Sequence, residues 1–272
     1  VHRVRTGPGA ALCMRHTLDA RPSDEKMLTM GVSSMRTSFA SKLGLVGVAV
    51  GLAACGGSSL DPGSGNDPGT GTGTLAIDGS VHASPRLINA QLATDFDTDF
   101  TVKVSLNNQT VTTGTVTITS GSGKIPLTYH NDNRWTGTAP SYDQVYVLDV
   151  VSGPDQVGGV RVDGPDIHVF SAPTEGANVD TTMPLLISWQ RGDQANSAEL
   201  RADTIESIVI PDTGTYSLAG GSLKADKSLA RQQTLRLLRT NRVVPSGAAA
   251  GSSLDVTIEN RLDVIAQPAP PL

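Results

Sequence analysis

From Thr74 onward, apolar side chains recur at every second position, and this alternation dominates the chain. Leu75, Ile77 and Val81 open it, and Phe96, Phe100, Val102, Val104 and Leu106 carry it through a longer run. A period of two sends successive side chains to opposite faces of an extended backbone, so each run predicts a strand with one buried face. Residues 111–120 are Thr/Val/Ile strand material with a bend or bulge at Gly114. Ile125, Leu127 and Tyr129 share a face, and 145–151 is the strongest apolar run of this half. Asn107–Asn108, 131–133 and Gly153-Pro154-Asp155 have turn chemistry, and Gly164-Pro165 suits a joint after a last strand at 157–162.

The pattern restarts with Ile167 and Val169, then Leu185, Ile187 and Trp189. Ala198, Leu200 and Ala202 predict another strand, followed by 205–210, 234–244 and the set Leu254, Val256 and Ile258. Residues 222–231 read as a loop or a helical turn. This rhythm of short strands and turns predicts an all-β fold of two tandem antiparallel β-sandwiches, at 74–165 and 166–266, with 267–272 as a tail.

Two stretches of the second half carry a resemblance. Asp212-Thr213-Gly214-Thr215-Tyr216 resembles the tyrosine corner of immunoglobulin-like domains, and Trp189 in PLLISW resembles the buried tryptophan of fibronectin type III domains. The resemblance implies that Gly214 permits the corner and that the Tyr216 hydroxyl bonds back to upstream backbone. It also implies that Trp189 lies between the sheets. Leu218 stands where those domains often carry cysteine.

Ahead of the strands lies LGLVGVAVGLAAC at 43–55. Its apolar part would rise only about 18 Å as a helix, against the ~30 Å of a bilayer core. With Arg36 and Lys42 before it and small residues at its end, it has the layout of a secretory signal. Leu52-Ala53-Ala54-Cys55 resembles the lipobox of bacterial lipoproteins. That resemblance implies a signal peptide at 35–54, cleavage between Ala54 and Cys55, and a diacylglycerol and fatty acid, palmitate among them, on Cys55. Membrane anchorage in the bacterial cell envelope follows, and Gly56 in place of Asp resembles lipoproteins sent to the outer membrane. Residues 1–34 lack periodicity and read as an over-long gene product or a disordered extension, with Met35 the best start. Gly, Pro and Ser dominate 55–73, which predicts a flexible linker spanning roughly 25 Å.

Composition narrows the function classes. Cys13 and Cys55 are the two cysteines, so cleavage before Cys55 would leave no disulfide framework and no cysteine-rich metal site. From Cys55 onward 14 Lys and Arg face 23 Asp and Glu, a net charge near −9, whereas a general nucleic-acid binder is basic.

Candidate chemistry is sparse. Asp212-Thr213-Gly214-Thr215 also matches the D-T-G-[ST] turn of aspartic proteases, which need two such turns to pair aspartates. Asp95, Asp97 and Asp99 resemble the opening of a calcium loop, but Phe100 and Leu106 occupy its glycine and glutamate positions. Gly121-Ser122-Gly123-Lys124 ends like a P-loop yet reads as a hairpin turn, because Ile118 and Ile125 replace its first glycine and its Ser or Thr. His82, His130 and His168 lack zinc spacing and read as surface or strand-end histidines. Lys224, Lys227, Arg231, Arg236, Arg239 and Arg242 form a basic run, either a solvated edge or a contact for anionic lipid. The expectation is a non-catalytic envelope binding or scaffold module, with no cofactor beyond the lipid and a possible calcium ion. Its partner would be an envelope protein or glycan. The alternative is an envelope hydrolase or protease whose site lacks a known motif.

Overall fold

Strands form wherever the alternation is sustained, and the computed structural model describes them over residues 60–63 and 65–269. The first ten are β1 (Thr70–Gly71), β2 (Leu75–Pro85), β3 (Phe96–Leu106), β4 (Gln109–Thr110), β5 (Thr115–Ser120), β6 (Gly123–Pro126), β7 (Thr128–His130), β8 (Arg134–Ala139), β9 (Val145–Ser152) and β10 (Asp155–Asp163). Eight more follow: β11 (Val169–Ala172), β12 (Ala177–Asp180), β13 (Leu185–Gln190), β14 (Ser197–Ala202), β15 (Ile205–Ile210), β16 (Thr215–Leu218), β17 (Arg231–Val243) and β18 (Ser253–Gln267). Among the described residues the fold is all-β, with one turn of 3-10 helix at Ala93–Asp95.

Pairing crosses the expected domain boundary. One ten-stranded sheet includes the order β15-β14-β17-β18-β2-β3-β8-β7, with β12 added beside β18 and β4 beside β3. Within it β18 runs parallel to β2, from Leu254 opposite Gly79 to Ile258 opposite Ala83. The segment 253–258, expected in a second, separate sandwich, therefore builds the first. Alternation reports which face of a strand is buried and nothing about its neighbour, so two sequence-contiguous sandwiches did not follow from it.

Against this long sheet pack two smaller ones. The sheet β1-β10-β9-β5-β6 covers a core that includes Phe96, Phe100, Tyr146, Leu148, Val256 and Ile258. The sheet β11-β13-β16 covers a second core with Ile187, Trp189, Leu200, Leu235, Leu237 and Leu262. β17 and β18, 13 and 15 residues long, thus contribute to both cores.

Within the linker expected at 55–73, residues 60–63 and 65–73 are docked on the folded domain. Asp67 pairs with Arg161, and β1 pairs with β10, so the segment adds itself to a sheet edge. The Asp163 carboxylate accepts from the backbone N–H of Gly63 and Gly65, each at 3.0 Å. On the other side, Gly73 N donates to Gly247 O and Ser246 Oγ to Gly69 O, closing the seam between the two sheets. Gly69 and Gly71 sit where backbones touch, while Gly63, Gly65 and Gly73 supply positive φ. A Cβ on Gly71 would lie 2.3 Å from Gly247 O and 2.5 Å from Gln156 O.

Gly71→Ala should therefore destabilise the protein by about 1–3 kcal/mol through overpacking, measured as a lower urea midpoint at unchanged slope. An unaltered midpoint would show that the segment is free in solution.

Candidate functional site

Inward-facing positions of β17 read Leu235, Leu237, Arg239, Asn241 and Val243, and those of β18 read Leu254, Val256, Ile258, Asn260, Leu262 and Val264. Arg239, Asn241 and Asn260 break two apolar stripes on three successive inward-facing rungs, opposite Ile258, Val256 and Leu237, where the two cores meet. Above them, from the end of β10 at Asp163, the chain crosses the sheet through 164–168 without a strand partner. Its carbonyls are supplied by side chains: Asn241 Nδ2 donates to Asp163 O at 2.7 Å and Tyr142 Oη to Pro165 O at 2.6 Å. Arg239 Nη1 donates to Asp166 O at 2.8 Å and Asn260 Nδ2 to His168 O at 2.6 Å. Asn260 also grips the loop before β3, accepting from Ala90 N and donating to Ala90 O.

Asp212 completes this seam. Its carboxylate accepts from Arg239 Nε and Nη2 at 2.9–3.1 Å, from Trp189 Nε1 at 3.1 Å and from Ala195 N at 2.7 Å. Both side chains of the pair are buried, at 0% and 1% exposure. Burial opposes the charge on Asp212, but the hydrogen bonds from Arg239 and Ala195 and the guanidinium charge outweigh it and hold the carboxyl below its ordinary range. A carboxylate with its oxygens so occupied cannot share a proton with a second aspartate. The D-T-G-T turn thus serves as the acceptor end of a buried ion pair.

The corner expected at 212–216 is reorganised accordingly. Trp189 lies in the core as expected and Gly214 has positive φ, with its carbonyl accepting from Trp189 N. Tyr216 is only half-buried on β16, and the inward bonding role falls to Asp212.

His168 corrects the surface reading of the histidines, since it is fully buried. Burial, reinforced by the Arg239 charge, pushes its imidazole down to about 3. One ring nitrogen lies 3.0 Å from Leu237 O, which fixes the proton on Nε2 and leaves Nδ1 bare. His82 lies on the outer face, 3.8 Å from Glu259, and His130 is exposed on β7.

The three aspartates of the calcium reading are dispersed in role. Asp95 caps the 3-10 turn by accepting from Gln91 N and Leu92 N, and Asp97 pairs with Arg86 at 2.5 Å. Asp99 stands opposite His82, and Phe96 and Phe100 point inward as expected. Among the described residues no group of three or more His, Cys, Asp or Glu is placed to hold a metal ion. Gly121 and Ser122 form the β5–β6 turn and Gly123 and Lys124 open β6; the turn is organised by Asp143, which accepts from Ser120 Oγ and Ser122 N.

The basic run dissolves as a patch. Arg239 is interior, Arg236 pairs with Asp203 and Glu259, and Arg242 makes a two-pronged contact with Asp255 at 2.5 and 2.6 Å. Lys224, Lys227 and Arg231 remain exposed. A break in the period-two apolar stripe at 239 and 260 was the available sequence signal for the seam. The lipidation residues Leu52 to Cys55, the signal at 35–54 and the extension at 1–34 lie outside the described residues.

Neither a protein-family model nor a curated protein matches the chain. A solved structure from work on host cell surface retention of a 1.5-MDa bacterial ice-binding adhesin aligns at 13% identity and a TM-score of 0.22, over 69% of this chain and 65% of that one. The aligned region is thus less than two thirds of that chain, and at such a score the likeness bears on neither fold nor function.

Arg239→Leu leaves a buried charge unpaired and strips the Asp166 carbonyl of its donor, so a loss of about 3–5 kcal/mol in urea unfolding is expected. The pH dependence has a definite sign. Between 6.5 and about 3 the unfolded chain takes up a proton at His168 that the folded chain refuses. The His168 contribution to stability is therefore full above pH 6.5 and falls by about 1.4 kcal/mol per unit below it, down toward pH 3. His168→Gln should remove one proton from that slope, and an unchanged slope would contradict the assignment.

Proposed function

We propose that this protein is an exported bacterial lipoprotein, anchored through Cys55 to the envelope, with the outer membrane as its site, and that it acts as a non-catalytic binding or scaffold module. The observation that carries the reading is Leu52-Ala53-Ala54-Cys55 placed directly after a short apolar run and directly before an exported-looking all-β domain. What supports the non-catalytic half is the enclosure of Asp212 and His168, buried groups with catalytic potential, in a hydrogen-bonded seam. Rigid sheets with consumed polar interiors suit display of a surface.

The docking of 61–73 sharpens the anchoring picture. From Cys55 to Asp61 the chain can reach at most about 20 Å, so the folded part sits close to the bilayer surface. We also read the second core as immunoglobulin- or fibronectin-like. Its support is Trp189 packed between β13 and the long sheet, with Gly214 at the turn into β16.

Intact-mass measurement on membrane-extracted protein tests the anchor. A mature chain beginning at acylated Cys55 is expected, and Cys55→Ser should move the protein from the membrane to the soluble fraction. A chain beginning at Val1 or Met35 would overturn the proposal.

A further inference from the structure

The outer face of the long sheet divides into two regions of different character. Over β17 and β18 its polar groups satisfy one another: Thr240 and Thr257 hydroxyls lie 2.8 Å apart, Thr234 Oγ1 donates to Asp263, and Arg242 pairs with Asp255. Over β2, β3, β8 and β7 the hydroxyls are left over. Ser80 stands opposite Thr101, Thr101 opposite Thr136, and Thr136 opposite Thr128, so four hydroxyl side chains form one row across four strands. None of the four donates to or accepts from another group of the protein among the described residues. Thr138 extends the set one level along β8, opposite Asp99.

The three threonines of the row lie in a shallow, open depression, while Ser80 stands outside it. The depression, of about 550 Å³, is lined by Thr101, Thr128, Thr136 and Thr138, with Asp99 and His130 at its rim. A second of about 440 Å³ adjoins along β3, walled by Asp78, Lys103 and Arg134. The cations there are already neutralised, Lys103 by Asp78 at 3.3 Å and Arg134 by Asp132 at 3.6 Å. Asp99 is the one lining carboxylate outside these ion pairs, so the trough carries no cation left over for an anionic ligand. It presents groups that each donate and accept, at the strand spacing of about 4.8 Å, close to the length of one sugar ring.

We propose that this trough binds a neutral oligosaccharide chain laid across β3, β8 and β7. The idea rests on the envelope-binding reading above and names its ligand class. Threonine is stiff at χ1, so the row is ordered before the ligand arrives and little side-chain entropy is lost on binding. Each contact is a neutral hydrogen bond that replaces one to water, so a single trough binds weakly. Many anchored copies on one envelope would act together to retain a glycan.

The test uses the full chain purified from membranes and presented to an array of neutral, uronic-acid and sulfated oligosaccharides. Binding to neutral glycans is expected, and Thr101→Val with Thr136→Val should weaken it by about tenfold or more, since two hydrogen bonds are lost at constant shape. Thr115→Val with Thr117→Val, on the opposite small sheet, should leave it unchanged. Binding to none, binding only to the acidic glycans, or binding indifferent to the Thr101/Thr136 pair would each overturn the proposal. The mass at Cys55 is read on the same preparation. Acylation without glycan binding rejects the trough and keeps the anchor, and glycan binding by an unacylated chain does the reverse.

Discussion

The connection 164–168 lies between two apolar cores with no strand to pair with, and the fold stands on its carbonyls, and on that of Asp163 just before it, being met by Tyr142, Arg239, Asn241 and Asn260. Buried peptide groups left without partners cost far more than a typical hydrogen bond returns. A purely apolar seam could not have received this stretch of chain. Arg239 in turn needs Asp212, because a guanidinium taken out of water requires both a counter-charge and acceptors for its donors. The seam is therefore a chain of dependencies running from β16 to β18. It joins the two cores into one structure.

The same logic explains why the chemistry suggested by short motifs is absent from the interior. Asp212 and His168 are held by what surrounds them, the first as an acceptor and the second as a neutral donor. Polar groups free to act lie outside, on the sheet face over β2, β3, β8 and β7, where hydroxyls lack protein partners. An outer sheet face whose hydroxyls lack protein partners is the surface that the proposed binding role would use. Its proximity to the bilayer, set by the docking of 61–73 onto β10, places that surface within the envelope if Cys55 is the anchor.

Much of the strand content was legible. The alternations at 75–81, 96–106 and 254–258 became strands with the expected residues inward, because a half-buried strand can be written in no other period, and the apolar run at 145–151 became a strand with 145–148 all buried. The burial of Trp189 was legible for the same reason. The glycine-rich segment at 60–73 was misread, since composition does not distinguish glycine chosen for freedom from glycine chosen for close approach, as at Gly71 and Gly247. In the basic run a count along the chain hid both the inward turn of Arg239 and the carboxylates of Asp203, Asp255 and Glu259, which reach Arg236 and Arg242 only across strands.

The sequence by itself determined the all-β class, the inward residues of most strands and the residue types at the seam, since each depends on local period and side-chain chemistry. Tertiary structure alone decided that β18 lies parallel to β2, that one sheet serves both cores, and that Arg239 faces Asp212 across 27 positions of chain. Pairing between distant strands is chosen by global packing, with many registers compatible with the same alternation. No local pattern encodes that choice.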